Sequence, residues 1–246
     1  MGGDPCSSRN AVPRSLLVYG GFDGPENRLA IAHGDRDTRH LSYDYFRYAG
    51  RDWRFFEPVY ARLNPSPPVL DVGSGLGLFV ECCQHHGTPV VGLEISREGV
   101  EASAKRHLSV VRADLTLPFP FRDGKFGSAL VHHVLEHVRP EEERRILRET
   151  WRVLRPEGTL FVVSPNVYHP GAREDPDHIN LFSPHQLRTE LRTAGFRNVS
   201  LGPNFWRPFW DPEERFGRLS GLIEGALWKV LPVDRFAASS AALARK

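Results

Sequence analysis

The most constraining feature of this 246-residue chain is the junction at residues 69–77. A short apolar run, Val69-Leu70-Asp71-Val72, breaks there into Gly73-Ser74-Gly75-Leu76-Gly77. Glycines at alternate positions let a backbone turn sharply and approach a ligand closely. The run reads as a buried strand, and residues 76–86 continue with a helical pattern. The texture then repeats. Residues 89–93 are a second apolar run, followed by a helix over 96–107 with Ser96 as its N-cap. Further strands are expected at 110–113, 128–132 and 159–164, and a helix at 140–154. Pro140 and Glu141–Glu143 suit that helix start, Ile146, Leu147, Thr150, Val153 and Leu154 form its apolar stripe, and residues 156–158 stop it. Strands alternating with helices dictate β-α-β units, hence an α/β fold with a parallel sheet and right-handed crossovers. Ligands on such sheets bind beyond the carboxyl ends of the strands, so the informative residues follow each strand.

Three segments emerge. Residues 1–64 are an aromatic extension, with Tyr43, Tyr45, Phe46, Tyr48, Trp53, Phe55, Phe56 and Tyr60 packing on the sheet or closing over a pocket as a lid. Asn64-Pro65-Ser66-Pro67-Pro68 ends that segment. Residues 65–210 form the core, and 211–246 an amphipathic helix whose stripe runs from Phe216 to Leu231. That stripe packs on its own domain, serves a homodimer or faces a membrane, the last reading weakened by Glu and Arg on the opposite face. Lys and Arg total 32 against 30 Asp and Glu, a balance that excludes a dedicated duplex nucleic-acid binder. Three cysteines make no disulfide framework and read as reduced thiols. With no leader pattern and no membrane-length apolar run, the expectation is a cytoplasmic protein.

An acid stands within or just after each of the first three strands. Asp71 precedes the glycine turn, Glu94 ends the second strand and Asp114 follows the third. Glu94 is placed to accept from two ribose hydroxyls, and a short carboxylate at 114 to accept from an adenine amine. The dinucleotide fingerprint needs glycine where Leu78 stands. Acids in this set favour a cationic, phosphate-free nucleoside over a nicotinamide cofactor.

The segments VLDVGSGLG (69–77), VGLEIS (91–96), RADLTLPF (112–119), LVHHVLEHV (130–138) and LRPEGTLFVVSPN (154–166) together resemble the ordered motifs of class I S-adenosylmethionine-dependent methyltransferases over residues 65–201. The resemblance implies a Rossmann-like, mostly parallel seven-stranded sheet flanked by helices, with one antiparallel strand, and S-adenosylmethionine as donor. It places Gly73 and Gly75 under the methionine part and Asp71 as the residue that orders the loop and the amino group. Glu94 and its neighbour Ile95 lie at the ribose, Asp114 and Leu115 at the adenine, and His132 near the sulfonium.

Methyl transfer to a hydroxyl is an in-line displacement assisted by a base, and imidazole is the natural base near neutral pH. His132-His133-Val134-Leu135-Glu136-His137 brings three imidazoles and a carboxylate just past the fourth strand. On a helix, His133, Glu136 and His137 would share a face, and His137 or His133 is the expected base. The stretch also resembles the Glu-x-x-Glu-His of magnesium-dependent ubiquinone-biosynthesis O-methyltransferases and small-RNA 2′-O-methyltransferases, with His133 replacing the first Glu. That resemblance implies a divalent ion, magnesium or similar, on Glu136, His137 and a later histidine, His178 or His169. A His-rich set suits zinc, manganese or iron better than magnesium. Metal-free members also carry Leu-Glu-His-Val here, with Glu136 and His137 holding the loop. In residues 175–187, Asp177, His178 and Asn180 are expected to face the acceptor, with Ser183 capping a helix. The expected acceptor is a hydroxyl on a sugar, glycan or small natural product, as in actinobacterial O-methyltransferases. A phenol, quinol or amine acceptor is the nearer alternative. An NAD-dependent oxidoreductase or a non-catalytic nucleoside-binding subunit is the more distant one.

Overall fold

The computed structural model describes residues 51–202, 230, 233–237 and 239–246. Tyr43, Tyr45, Phe46, Tyr48, the stripe residues 216–227 and Leu231 lie outside the described residues. The described chain runs α1 (Glu57–Leu63), β1 (Val69–Val72), α2 (Leu78–His85), β2 (Val90–Glu94), α3 (Arg97–Lys105), β3 (Val110–Arg112) and β4 (Phe126–His132). It continues with α4 (Pro140–Val153), β5 (Leu154–Pro165), α5 (Pro184–Thr193), β6 (Arg197–Leu201) and β7 (Ser239–Arg245). These strands form one seven-stranded sheet in the order β3-β2-β1-β4-β5-β7-β6. Strands β1 to β5 pair in parallel, and β7 runs antiparallel to both β5 and β6. This is the expected architecture, with the single reversed strand lying between β5 and the edge.

Strand periodicity explains why both faces are covered. Leu70, Val72, Ala129, Val131, Leu160 and Val162 turn to one face, where Ile146 and Leu147 of α4 and Leu187 and Leu191 of α5 cover them. Val69, Leu130, Phe161 and Val163 turn to the other, under Leu63 of α1 and Phe79, Val80 and Cys83 of α2. A parallel sheet buried on both sides reads as near-continuous apolar runs, as these do. The helix starts follow local chemistry. Ser96 Oγ accepts from the Gly99 N–H, Ser183 Oγ from the Gln186 N–H, and Glu142 Oε2 from the Arg139 N–H. Asn64 ends α1 in the left-handed region at φ 45°, a conformation Asn tolerates.

Two boundaries differ from the sequence reading. The last residues of the 211–246 segment are β7, so the sheet, and with it the core, extends to Arg245. Helix periodicity could not show this, because Ala241, Ala242 and Ala244 become strand residues only through pairing with distant strands. Strand β5 also starts early, at Leu154, and bulges through residues 155–158, with Glu157 at φ 62°. The Pro156-Glu157-Gly158 stop is thus a kink entering the strand.

Gly127 in β4 lies under the Ser66 and Pro67 carbonyls and the Arg155 guanidinium, where a Cβ would collide with the Ser66 oxygen. Backbone cannot yield as a flexible side chain can. Gly127→Ala is expected to cost about 1–3 kcal/mol, measured as a lowered midpoint in urea denaturation.

Candidate active site

Parallel pairing puts the carboxyl ends of β1, β2, β3, β4 and β5 on one edge. Val72 pairs with Leu93 and Val131, Glu94 with Arg112, and His132 with Val163. The residues that follow these strands therefore meet although they are distant in sequence.

The turn after β1 is held from beneath. The Gly73 and Ser74 N–H groups donate to the Leu93 carbonyl at 2.9 and 2.8 Å. Glu94, 5% exposed, accepts from the Gly75 N–H through Oε2 at 2.7 Å and from the Ser96 N–H through Oε1 at 2.8 Å. Its carboxylate thus joins the turn to the start of α3. Gly73 sits at φ 76°, and a Cβ there would lie 2.5 Å from Val134 Cγ2. The residue must be glycine both for its backbone angle and because the segment after β4 presses onto the turn. Asp71, nearly fully buried, has its carboxyl raised from 3.8 to about 8, first by burial and then by the Glu94 charge. Such a carboxyl is mostly protonated at neutral pH. Asp114 Oδ1 accepts from the Thr116 N–H and hydroxyl at 2.9 and 2.7 Å, which folds the turn after β3. Leu115 is buried in the core, and the half-buried Ile95 accepts from Arg112 Nε through its carbonyl at 3.1 Å.

His132 ends β4, edge-on to the Phe56 ring at 5.1 Å and to His133 at 4.6 Å. Burial, and then the neighbouring His133, hold its imidazole well below the usual range, so it is neutral. His133 adopts φ 56°, a strained angle for a side chain of this size, and such strain clusters at working sites. Its Nδ1 lies 2.8 Å from Oε1 of the fully buried Glu136. Glu136 Oε2 accepts from the Ser164 hydroxyl at 3.1 Å. Burial pushes the Glu136 carboxyl up, but the charge and hydrogen bond of His133, the charge of His137 and a backbone hydrogen bond outweigh it and leave the group below its usual range. Facing a carboxylate, Nδ1 is the donor of this hydrogen bond.

The loop after β5 closes on the same residues. The Ile179 and Asn180 N–H groups donate to the Glu136 carbonyl at 2.8 and 3.1 Å. His137 Nδ1 donates to the Asp177 carbonyl at 3.2 Å, and His178 Nδ1 to the Ala172 carbonyl at 2.7 Å. The two rings lie 5.1 Å apart. One ligand atom each from Glu136, His137 and His178 falls within 4.8 Å of the others. This is the set expected from the motif. His178 joins it, whereas His169 is not among its members.

The expected helix through His133, Glu136 and His137 is absent. A tight 3-10 turn spans Leu135–His137, preceded by the left-handed His133. The turn splits the three residues: His133 pairs with Glu136, and His137 turns to the 175–180 loop. His178 and Asn180 also bond within the loop and to its neighbours, His178 through Nδ1 to the Ala172 carbonyl and Asn180 through Nδ2 to the Leu135 carbonyl and Glu143. Ser164 was missed, and its one signal was a hydroxyl in the otherwise apolar run of β5. Also missed was Glu143, 1% exposed on α4, whose carboxyl burial raises to about 7.

A family model described as a methyltransferase domain matches residues 70–162. The chain is 32% identical over 196 residues to a 23S rRNA (guanine(748)-N(1))-methyltransferase of Streptomyces fradiae, covering 68% of this chain and 66% of the relative. It is 28% identical over 193 residues to a protein of Mycobacterium tuberculosis named a probable S-adenosylmethionine-dependent methyltransferase, covering 72% of this chain and 69% of the relative. The matches thus span about two thirds of these relatives' length. Among solved structures, a SAM-dependent methyltransferase from Archaeoglobus fulgidus superposes with a TM-score of 0.61 at 22% identity, over 83% of this chain and 99% of that one.

The Asp71 carboxyl sets a pH dependence. The folded chain holds its proton up to about pH 8, and the unfolded chain loses it near 3.8. Between those values the native state binds more protons, so this group's contribution to stability is full at low pH and declines as pH rises. The slope is at most about 1.4 kcal/mol per pH unit. Urea denaturation across that window is expected to show a flatter decline for Asp71→Asn than for the parent.

Proposed function

The chain belongs to the class I S-adenosylmethionine-dependent methyltransferases, and from that premise we propose that it methylates a hydroxyl on a carbohydrate or small natural product, with His133 as base and Glu136 as its orienting partner. The observation that carries this reading is the His133–Glu136 pair, 2.8 Å apart at the carboxyl end of β4 with a buried, ionised carboxylate. The acceptor oxygen forms its bond to the methyl carbon as the carbon–sulfur bond breaks. The bonding pair returns to sulfur, and the hydroxyl proton passes to His133 Nε2. Glu136 holds the ring in the tautomer that can take the proton and stabilises the imidazolium that results, the logic of a carboxylate behind a histidine base. His137, anchored through Nδ1 to the Asp177 carbonyl, serves the loop rather than the proton.

In this reading the donor lies over the glycine turn. Gly73 and Gly75 contact its methionine part, Asp71 its amino group, Glu94 and Ile95 its ribose, Asp114 and Leu115 its adenine, and His132 its sulfonium. The buried Glu94 carboxylate, with the Asp71 carboxyl beside it that a cation would help to ionise, favours a cationic donor over a pyrophosphate. This weighs against the nicotinamide alternative.

A divalent ion on Glu136, His137 and His178 is a second reading of the same loop, favoured by the convergence of their ligand atoms. The donor set fits. Each ring bonds a backbone carbonyl through Nδ1, the arrangement that orients metal-bound imidazoles. Two imidazoles and one carboxylate suit zinc, manganese or iron. Such an ion would supply Lewis-acid polarisation of the acceptor. For the acceptor itself, the Streptomyces fradiae relative, named for a guanine nitrogen of rRNA, supports a nucleobase as the alternative to a hydroxyl.

Calorimetry is expected to show S-adenosylmethionine binding and no NAD binding, with at least tenfold weaker donor binding in Glu94→Ala. His133→Asn, which tolerates the left-handed backbone, is expected to lower kcat by about 10²–10⁴ with donor affinity within about twofold. Unchanged kcat in that variant would remove His133 as base. Activity on rRNA but on no sugar or natural-product alcohol would transfer the reading to the nucleobase. Loss of activity on chelation, restored by manganese or zinc and absent in His178→Ala, would establish the metal.

A further inference from the structure

A second constellation lies away from this edge, where the start of α1 meets the end of α2. We propose that Glu57, Cys82 and His86 form a binding site for one zinc-class divalent cation, which fastens α1 to α2. Cys82 and His86 stand four residues apart, one turn along the same helical face, and Glu57 reaches them from the first turn of α1. One ligand atom from each lies within 4.8 Å of the other two. His86 Nε2 is 3.1 Å from both Glu57 oxygens. A tetrahedral zinc with bonds of about 2.0–2.2 Å separates nitrogen and oxygen ligands by about 3.4 Å. The two side chains therefore need to part by only a few tenths of an ångström to admit the ion between them.

The surroundings orient the ligands. Tyr60 stacks on the His86 ring at 4.1 Å and 11°, and its hydroxyl bonds Thr88 Oγ1 at 2.6 Å. Trp53 stacks on the adjacent His85 at 4.1 Å and 19°. The imidazole is held between an aromatic plate and a carboxylate, as a supporting shell would hold it. The donor set is chemically distinct from that of Glu136, His137 and His178. A thiolate, an imidazole and a carboxylate select zinc or cobalt and give magnesium no purchase. Cys82 is fully buried while Glu57 and His86 are partly open. The ion would sit over the sulfur with water completing its coordination. Because α2 begins at the glycine turn, the ion would also brace the helix that carries that turn.

The test is titration of the full chain with cobalt and then zinc, in a His178→Ala background that disables the other cluster. One cobalt per chain is expected, with thiolate-to-cobalt charge-transfer absorption in the near ultraviolet that zinc displaces. The absorption should vanish in Cys82→Ser and persist in Cys83→Ser and Cys6→Ser. His86→Ala and Glu57→Gln should each weaken zinc at least tenfold, and these partly exposed positions decide the matter should Cys82→Ser fail to fold. Absence of the thiolate band, its survival in Cys82→Ser, or unchanged zinc affinity in both His86→Ala and Glu57→Gln overturns the proposal. The readout is spectroscopic and independent of methyl transfer.

Discussion

The arrangement of the site depends on one buried charge. Removing a carboxylate from water costs several kcal/mol unless its oxygens find partners. Glu136 finds them in the His133 ring and the Ser164 hydroxyl. Its backbone carbonyl meanwhile takes the N–H groups of Ile179 and Asn180. A single residue thereby joins the end of β4, the end of β5 and the loop beyond. Each partner is held by the penalty of leaving the charge bare. That penalty also accounts for the left-handed backbone at His133, since the ring must turn back toward the carboxylate three residues on.

The glycine turn is the second half of the same construction. Val134, between His133 and Glu136, packs where a Gly73 Cβ would stand. The turn after β1 and the turn after β4 therefore press on each other. Glu94 stiffens the turn from below through the Gly75 and Ser96 N–H groups, while Asp71 lies buried beside it. A cation settling over this edge would relieve both acids, which matches the positive sulfonium and ammonium of the donor.

The comparison between sequence and structure is uneven in an instructive way. Strand β1 spans Val69–Val72 as its composition implies, and Ser96, Ser183 and Pro140 stand at helix starts as their chemistry implies. Boundaries failed where pairing overrides local pattern, at Leu154 and in the alanine-rich β7. The cluster of Glu136, His137 and His178 was named from a motif resemblance, and the chain does bring these three together. The spacing expected to unite His133 with His137 on a helix does not do so, because the residues form a 3-10 turn.

What the sequence determined by itself was the alternation of strands and helices, the glycine turn and the acids after the strands, because each rests on contacts within a few residues. What only the tertiary structure decided was which histidine faces the carboxylate, that Ser164 completes it, and that β7 reverses between β5 and β6. Those outcomes depend on parallel pairing, which carries side chains from five separate strands to one edge, and on the cost of burying a charge there. Neither is written in the spacing of any single segment.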